Sequence, residues 1–255
     1  MNAPTGMDTQ APNWDAFIDP ATPPVGKRRP PRREWSARAA TNEAHDLAFS
    51  TAAPIDWRKR NVLSAARSQG DANTCTSFAI CAAIEARTRV AGRPAVNLAP
   101  GFIHTCLFKY DRYRGIWGGD ALDRVVVNGI VHGFHGDYPF PLGRCSVGNK
   151  LPVAGYDSLD NEAAAYAALG RGPIVADLYI APDAFRDLGP NDVYSPVPGA
   201  SVLLHTVVIV GCEPDGKAWI VQNSEGPRWA DKGCGLVALG AGGLLVERWG
   251  WEIHV

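Results

Sequence analysis

Two periodicities divide this chain, and their order limits the folds open to it. Up to about residue 170 the apolar residues recur at helical spacing or are broken by loops; beyond it they come in short β-branched runs. Phe78, Ala79, Ala82, Ala83, Ile84 and Ala86 mark a helix opening near Cys75, with Asn73 or Thr74 as cap and Gly92 as stop. A short helix is expected from Ala99 or Pro100 to Leu107. After a tight turn at Trp117-Gly118-Gly119, another is capped by Asp120 and runs through Val125, Val126 and Val127 to Gly129. Residues 132–156 read as loop, and Asn161–Leu169 as an alanine-rich helix stopped by Gly170. Strands follow at Ile174–Ile180, His205–Val210, Lys217–Asn223, Cys234–Leu239 and near Leu244–Val255, with Pro214-Asp215-Gly216 as a turn. Helices first and strands afterwards indicate an α+β fold of two subdomains, not the alternating units of a parallel sheet.

Length and charge narrow the function. The 255 residues suit one large or two intimately packed domains, and a net charge of -1 argues against nucleic acid as the main partner. No apolar run reaches the roughly 18 residues of a membrane span, and Met1–Gln10 has neither the basic nor the apolar region of a secretory signal. These features leave the compartment open: cytoplasmic, or exported by a route not visible here. Residues 1–53 stand apart. Seven prolines lie between Pro4 and Pro31, beside the basic knot Lys27-Arg28-Arg29 and Arg32-Arg33, in an extended or disordered leader. It is either a flexible tail or a segment lying across the body and blocking a site. The body begins at Pro54-Ile55-Asp56-Trp57-Arg58.

Within Gln69–Phe78 a polar loop ends in Cys75 and passes straight into the helical pattern. In a first turn, unpaired amides and the helix dipole favour thiolate over thiol. Taken alone, a cysteine packed as a small hydrophobe is the stronger reading. A nucleophile needs a base, an orienting group and an oxyanion donor. His205 begins a buried-looking strand and Asn223 ends the next. If these strands pair across the turn at 214–216, the amide oxygen meets the imidazole and fixes its tautomer. Gln69, six positions before Cys75, carries an amide able to point the same way.

Together these residues resemble the papain-like cysteine peptidases. His205 and Asn223 lie 130 and 148 positions after Cys75, as in that family. Pro54–Arg58, Gln69-Gly70, Ser77-Phe78-Ala79, Gly118-Gly119, Gly172-Pro173, His205–Gly211 and Asn223-Ser224-Glu225-Gly226, with Trp229 and Gly233 behind, look like its motifs in order. The resemblance implies a helical left subdomain (about 54–155) and an antiparallel, β-barrel-like right subdomain (about 156–255), with a cleft between them. It implies Cys75 as nucleophile, His205 as base, Asn223 as orienting group and Gln69 as oxyanion donor. Gly118, Gly119, Leu204 and Trp229 would bind a peptide or protein substrate, without cofactor or metal. Of the family's usual bridges, only the one mapping to Cys106 and Cys145 keeps both cysteines; Cys81, Cys212 and Cys234 read as core or free thiols.

The chain departs from the family at three places near the site. Thr76 replaces the aromatic after the nucleophile. Leu204 replaces an Asp before the histidine, which makes the substrate pocket more apolar. Glu225 replaces the tryptophan that roofs the His–Asn hydrogen bond, which leaves that bond exposed to water unless another group covers it. The family's long helical pro-region is not visible in residues 1–53, so the leader is expected as a brief plug in cis on the Gly118-Gly119 side, as in a zymogen. Besides a peptidase, the same scaffold suits an acyl-transfer or amide-forming enzyme, or a non-catalytic binding module. His132, His135 and Cys145 have a permissive metal spacing but no fourth ligand, and read as ordinary surface or partly buried side chains.

Overall fold

The computed structural model describes residues 54–132, 145–146, 149–159, 161–195, 200–214, 217–245 and 250–255. The leader, with the expected plug, lies outside the described residues, as do His135 and the turn residues Asp215-Gly216. Strand β1 (Ile55–Asp56) and a 3-10 turn (Trp57–Arg60) lead to helix α1 (Cys75–Val90). Helix α2 (Pro100–Phe102) continues as a π-helical turn (Ile103–Leu107), and α3 (Gly118–Asn128) follows. Strands β2 (Ile130–Val131) and β3 (Lys150–Leu151) pair antiparallel. Then come β4 (Gly155–Leu159), α4 (Glu162–Leu169), β5 (Ile174–Ile180), α5 (Pro182–Arg186), β6 (Val193–Tyr194), β7 (Leu203–Cys212), β8 (Ala218–Gln222), β9 (Cys234–Ala238) and β10 (Gly250–His254).

The expected α+β arrangement is the one found. One sheet runs β4-β10-β5-β7-β8-β9-β6, with β1 paired to β7. Its pairings are antiparallel except β6 with β9. Strand β5 is buried along its length apart from Tyr179, which explains why it reads as a continuous apolar run instead of an alternation.

Helix α1 lies against β7 and carries the core. From Thr76 to Thr88 only Ala82 is partly exposed. A helix enclosed on all sides needs mostly apolar residues and partners for the polar ones, and its alanines let neighbouring elements approach closely. Two of its three charged members, Glu85 and Arg87, are buried, and both are paired. Glu85 Oε1 accepts from the Leu98 amide at 2.8 Å and from Arg67 at 3.2 Å. Arg87 donates to Glu252 Oε1 at 2.7 Å and to the Pro173 carbonyl at 3.2 Å; Arg171 also donates to Glu252. Burial opposes ionisation of Glu252, but the two guanidiniums outweigh it and hold its pKa below the usual carboxylate value.

Some local expectations shift. Neither candidate cap acts on α1: Asn73 Nδ2 donates to the Tyr113 carbonyl at 2.7 Å, and the Thr74 hydroxyl turns to the Ala72 carbonyl. The first-turn amides therefore keep no side-chain cap. The expected turn at Gly118-Gly119 is instead the start of α3, with Asp120 inside its first turn, where the positive helix end suits a carboxylate. Gly118 is required by close packing, because a Cβ there would lie 2.5 Å from the Trp251 ring. Cys106 and Cys145 form a disulfide with Cα atoms 5.4 Å apart, while Cys81, Cys212 and Cys234 are buried free thiols.

Candidate active site

The β7–β8 hairpin builds one half of the site. Val208 faces Gln222 in register, which sets the earlier residues of β7 beside the chain leaving β8. His205 Nε2 thereby meets Asn223 Oδ1 at 2.7 Å. With Nε2 engaged, Nδ1 remains for Cys75, to which the imidazole also hydrogen-bonds. Cys75 sits at the first position of α1, half-buried, and the Thr206 amide donates to its sulfur.

The electrostatics of the pair are reciprocal. Burial raises the Cys75 pKa, but the charge and hydrogen bond of His205 and the Thr206 amide outweigh it, so the thiol lies below its ordinary value. Burial lowers the His205 pKa, but Cys75, the Asn223 hydrogen bond and the Glu225 charge outweigh that, so the imidazole lies above its own. A thiolate facing an imidazolium is the arrangement both shifts favour.

Gln69 comes to the same place by another route. Its amide pairs with the Ser224 carbonyl at 2.8 Å, its side-chain Oε1 accepts from the Ser224 hydroxyl, and its Nε2 donates to the Ala72 carbonyl at 2.7 Å. One of the two Nε2 hydrogens is thus engaged in fixing the amide, and the other is left for a ligand. The fold therefore gathers Cys75, His205, Asn223 and Gln69 at one end of α1.

The substrate-side residues are distributed less simply. Gly119 and Leu204 are partly exposed, and Gly118 is buried under Trp251. Trp229 is only 5% exposed, and its Nε1 donates to the Phe185 carbonyl at 2.9 Å; it backs another aromatic and presents little surface to a ligand. Of the two outcomes left open at Glu225, a roof missing or a roof replaced, that aromatic supplies the second. Phe185, on α5, meets the His205 ring edge-on at 5.6 Å and packs on Trp229 at 5.2 Å. His205 and Asn223 are consequently 5% and 4% exposed, so their hydrogen bond is sheltered from water. Glu225 is exposed, beside His205 and Arg186.

Thr76 faces inward. Its hydroxyl lies 2.7 Å from the Ile116 carbonyl oxygen and 2.8 Å from the Thr206 hydroxyl. Thr206 in turn lies 2.6 Å from Asp177 Oδ1, on the paired position of β5. Sequence reasoning did not single out Phe185, Thr206, Asp177 or Ser224. A charged residue inside the apolar run of β5 was the available signal for Asp177. Of the residues with a permissive metal spacing, Cys145 is committed to the disulfide with Cys106.

Residues 51–242 match the family described as papain family cysteine protease. The chain belongs to that family. Among curated relatives, cathepsin R of Mus musculus is 29% identical over 195 residues, which are 70% of this chain and 58% of that protein. The oryzain beta chain of Oryza sativa subsp. japonica is 26% identical over 213 residues, or 78% of this chain and 45% of that one. This chain thus spans roughly half the length of these two relatives. Of solved structures, the bromelain protease from Ananas comosus in complex with the E64 inhibitor superposes with a TM-score of 0.64 at 24% identity, covering 80% of this chain and 99% of that one. Procathepsin L 3 of Tenebrio molitor gives 0.68 at 20% identity, with 88% and 79% covered. These two likenesses show the papain fold.

Proposed function

We propose that the chain is a cysteine peptidase that hydrolyses peptide bonds through an acyl-enzyme. The observation that carries this reading is the His205–Asn223 hydrogen bond of 2.7 Å, with the same imidazole bonded to Cys75 at an uncapped helix start. The Cys75 thiolate attacks the substrate carbonyl carbon. Its own amide, unpaired in the first turn, and the free Gln69 Nε2 hydrogen donate to the oxyanion. The His205 imidazolium passes its proton to the departing amine, and the peptide C–N bond breaks to leave a thioester. Neutral His205 then takes a proton from water as it attacks the thioester, and the carboxylic acid leaves with Cys75 restored. Family membership supports a peptide or protein as substrate.

Glu225 and Arg186 make the wall beside His205 polar, which favours an amine acceptor as the second reading. The deciding experiment profiles cleavage of a peptide library by the native protein and by Cys75→Ala in parallel. Cleavage lost in the variant supports hydrolysis at Cys75. A product that forms only with added amine supports acyl transfer instead. Equal profiles, or no selective labelling of Cys75 by an epoxide thiol probe, refute the catalytic reading.

A further inference from the structure

The contacts around Thr76 contain more hydrogen bonds than its neighbours have hydroxyl protons. Four groups lie in a row: the Ile116 carbonyl, the Thr76 hydroxyl, the Thr206 hydroxyl and Asp177 Oδ1. The successive separations are 2.7, 2.8 and 2.6 Å. Each is a hydrogen-bond distance, so three protons are needed, and the two threonines bring one each. The Ile116 carbonyl can only accept, so the Thr76 proton points to it. Thr76 must then accept from Thr206, which uses the Thr206 proton. The last contact is left for a proton on the carboxyl group. An ionised Asp177 would leave two oxygens in this row facing each other within hydrogen-bond distance with no proton between them.

We propose that Asp177 is a neutral carboxylic acid that donates to Thr206 and, through Thr206 and Thr76, positions the Cys75–His205 pair. Asp177, Thr206 and Thr76 are 0%, 2% and 2% exposed, and burial on this scale favours the uncharged form. The row joins the neighbour of Cys75 to the neighbour of His205, so it clamps α1 against β7 directly behind the reacting atoms. It also fixes Thr206, whose amide donates to the Cys75 sulfur. The charge state matters because an ionised Asp177 opposes the thiolate, and its charge acts to raise the Cys75 pKa. Asp177 touches neither substrate nor sulfur and is a positioning residue.

The described charged groups on the elements packed around the row are engaged elsewhere or face other directions. Helix α1 presents Cys75 and β7 presents His205. Strand β10 sets Gly250 and Trp251 opposite Ala176 and Val175, α3 turns Asp123 and Arg124 to solvent, and Glu162 of α4 binds the Gly240 amide at 3.1 Å. In the family, an aromatic occupies the Thr76 position; here a hydroxyl completes the row.

The inference rests on Cys75 and His205 being the reacting pair, but its primary test does not need turnover. Infrared difference spectra of the native chain against Asp177→Asn are expected to show the carbonyl band of a protonated carboxyl at neutral pH. Absence of that band overturns the proposal, whatever the activity. If Asp177→Asn does not fold, bleaching of the same band on alkaline titration of the native protein replaces the comparison, and a spectrum without the band refutes it equally. The second readout is the pH profile of Cys75 alkylation by iodoacetamide. Asp177→Asn can still donate an N–H to Thr206 and is expected to keep the native profile within about threefold, whereas Thr76→Val interrupts the row and is expected to slow labelling about tenfold, with Thr76→Ser restoring it. A Thr76→Val profile identical to native refutes the clamp. Loss of selective Cys75 labelling in the native protein, with the infrared band present, refutes the catalytic reading and leaves the neutral acid standing.

Discussion

The two ends of α1 handle buried polarity in opposite ways. At the C-terminal end, Arg87 is locked to Glu252, which Arg171 binds as well, so a charge taken out of water has found several partners. At the N-terminal end, groups keep unused capacity. The first-turn amides lack a side-chain cap, one Gln69 hydrogen is uncommitted, and Asn223 Nδ2 is buried with no partner among the described residues. The closed end stabilises the fold; the open end holds the donors that the proposed mechanism would use for charge appearing during reaction. One helix thus serves as an anchor at one terminus and as a reactive surface at the other.

That contrast breaks most sharply at Cys75. Cys75→Ala is expected to lower peptide turnover by about 10⁴-fold or more, with the thermal midpoint nearly unchanged. His205→Ala is expected to lower turnover by roughly 10²–10⁴-fold, again with little change in melting. Glu252→Gln attacks the other end and reverses the pattern. Stability is expected to fall by about 3–5 kcal/mol, while the labelling rate of folded Cys75 stays native. Because the folded pKa of Glu252 is lowered, its contribution is present above the unfolded carboxylate value and is lost as pH falls through the folded one. Melting curves of native and Glu252→Gln protein should therefore converge in acid; a gap that persists there contradicts the ion-pair account.

The pH dependence of labelling sharpens the open end. The Cys75 pKa is lowered and that of His205 raised, so the thiolate–imidazolium pair occupies the window between the two. Iodoacetamide should label Cys75 at pH values where an ordinary cysteine is still a thiol, and a profile like that of free cysteine would contradict the pairing. The smallest effect is expected at Glu225, whose charge helps to raise the His205 pKa. Glu225→Gln should move the alkaline limit of the window downward by less than about one pH unit.

Much of this was legible before any coordinates. Period 3.6 followed by period 2 specifies the α+β layout, because each element advertises the face or faces it buries. The spacing of Cys75, His205 and Asn223 carries the family, because a hairpin of this length brings the last two to one end. Side chains whose roles arise from non-local geometry were not legible. Phe185 roofs His205 from a short helix 20 positions upstream, and nothing in Pro182–Arg186 announces that it folds back over β7. Thr76 stands out as a departure but without a role, and Thr206 does not stand out, until strand register brings Thr206 opposite Asp177. The β1 pairing was equally hidden, since two residues are too few to show a period.

The hydrogen bond between His205 and Asn223 spans 18 positions of chain, and it is made within one hairpin. Cys75 reaches the same imidazole across 130. Loop-closure entropy favours the short connection, so the hairpin is the part of the site that can form first, and the nucleophile arrives only when α1 docks on β7. On the proposed mechanism, a partly folded chain is therefore expected to hold an oriented base before it holds a reactive thiolate.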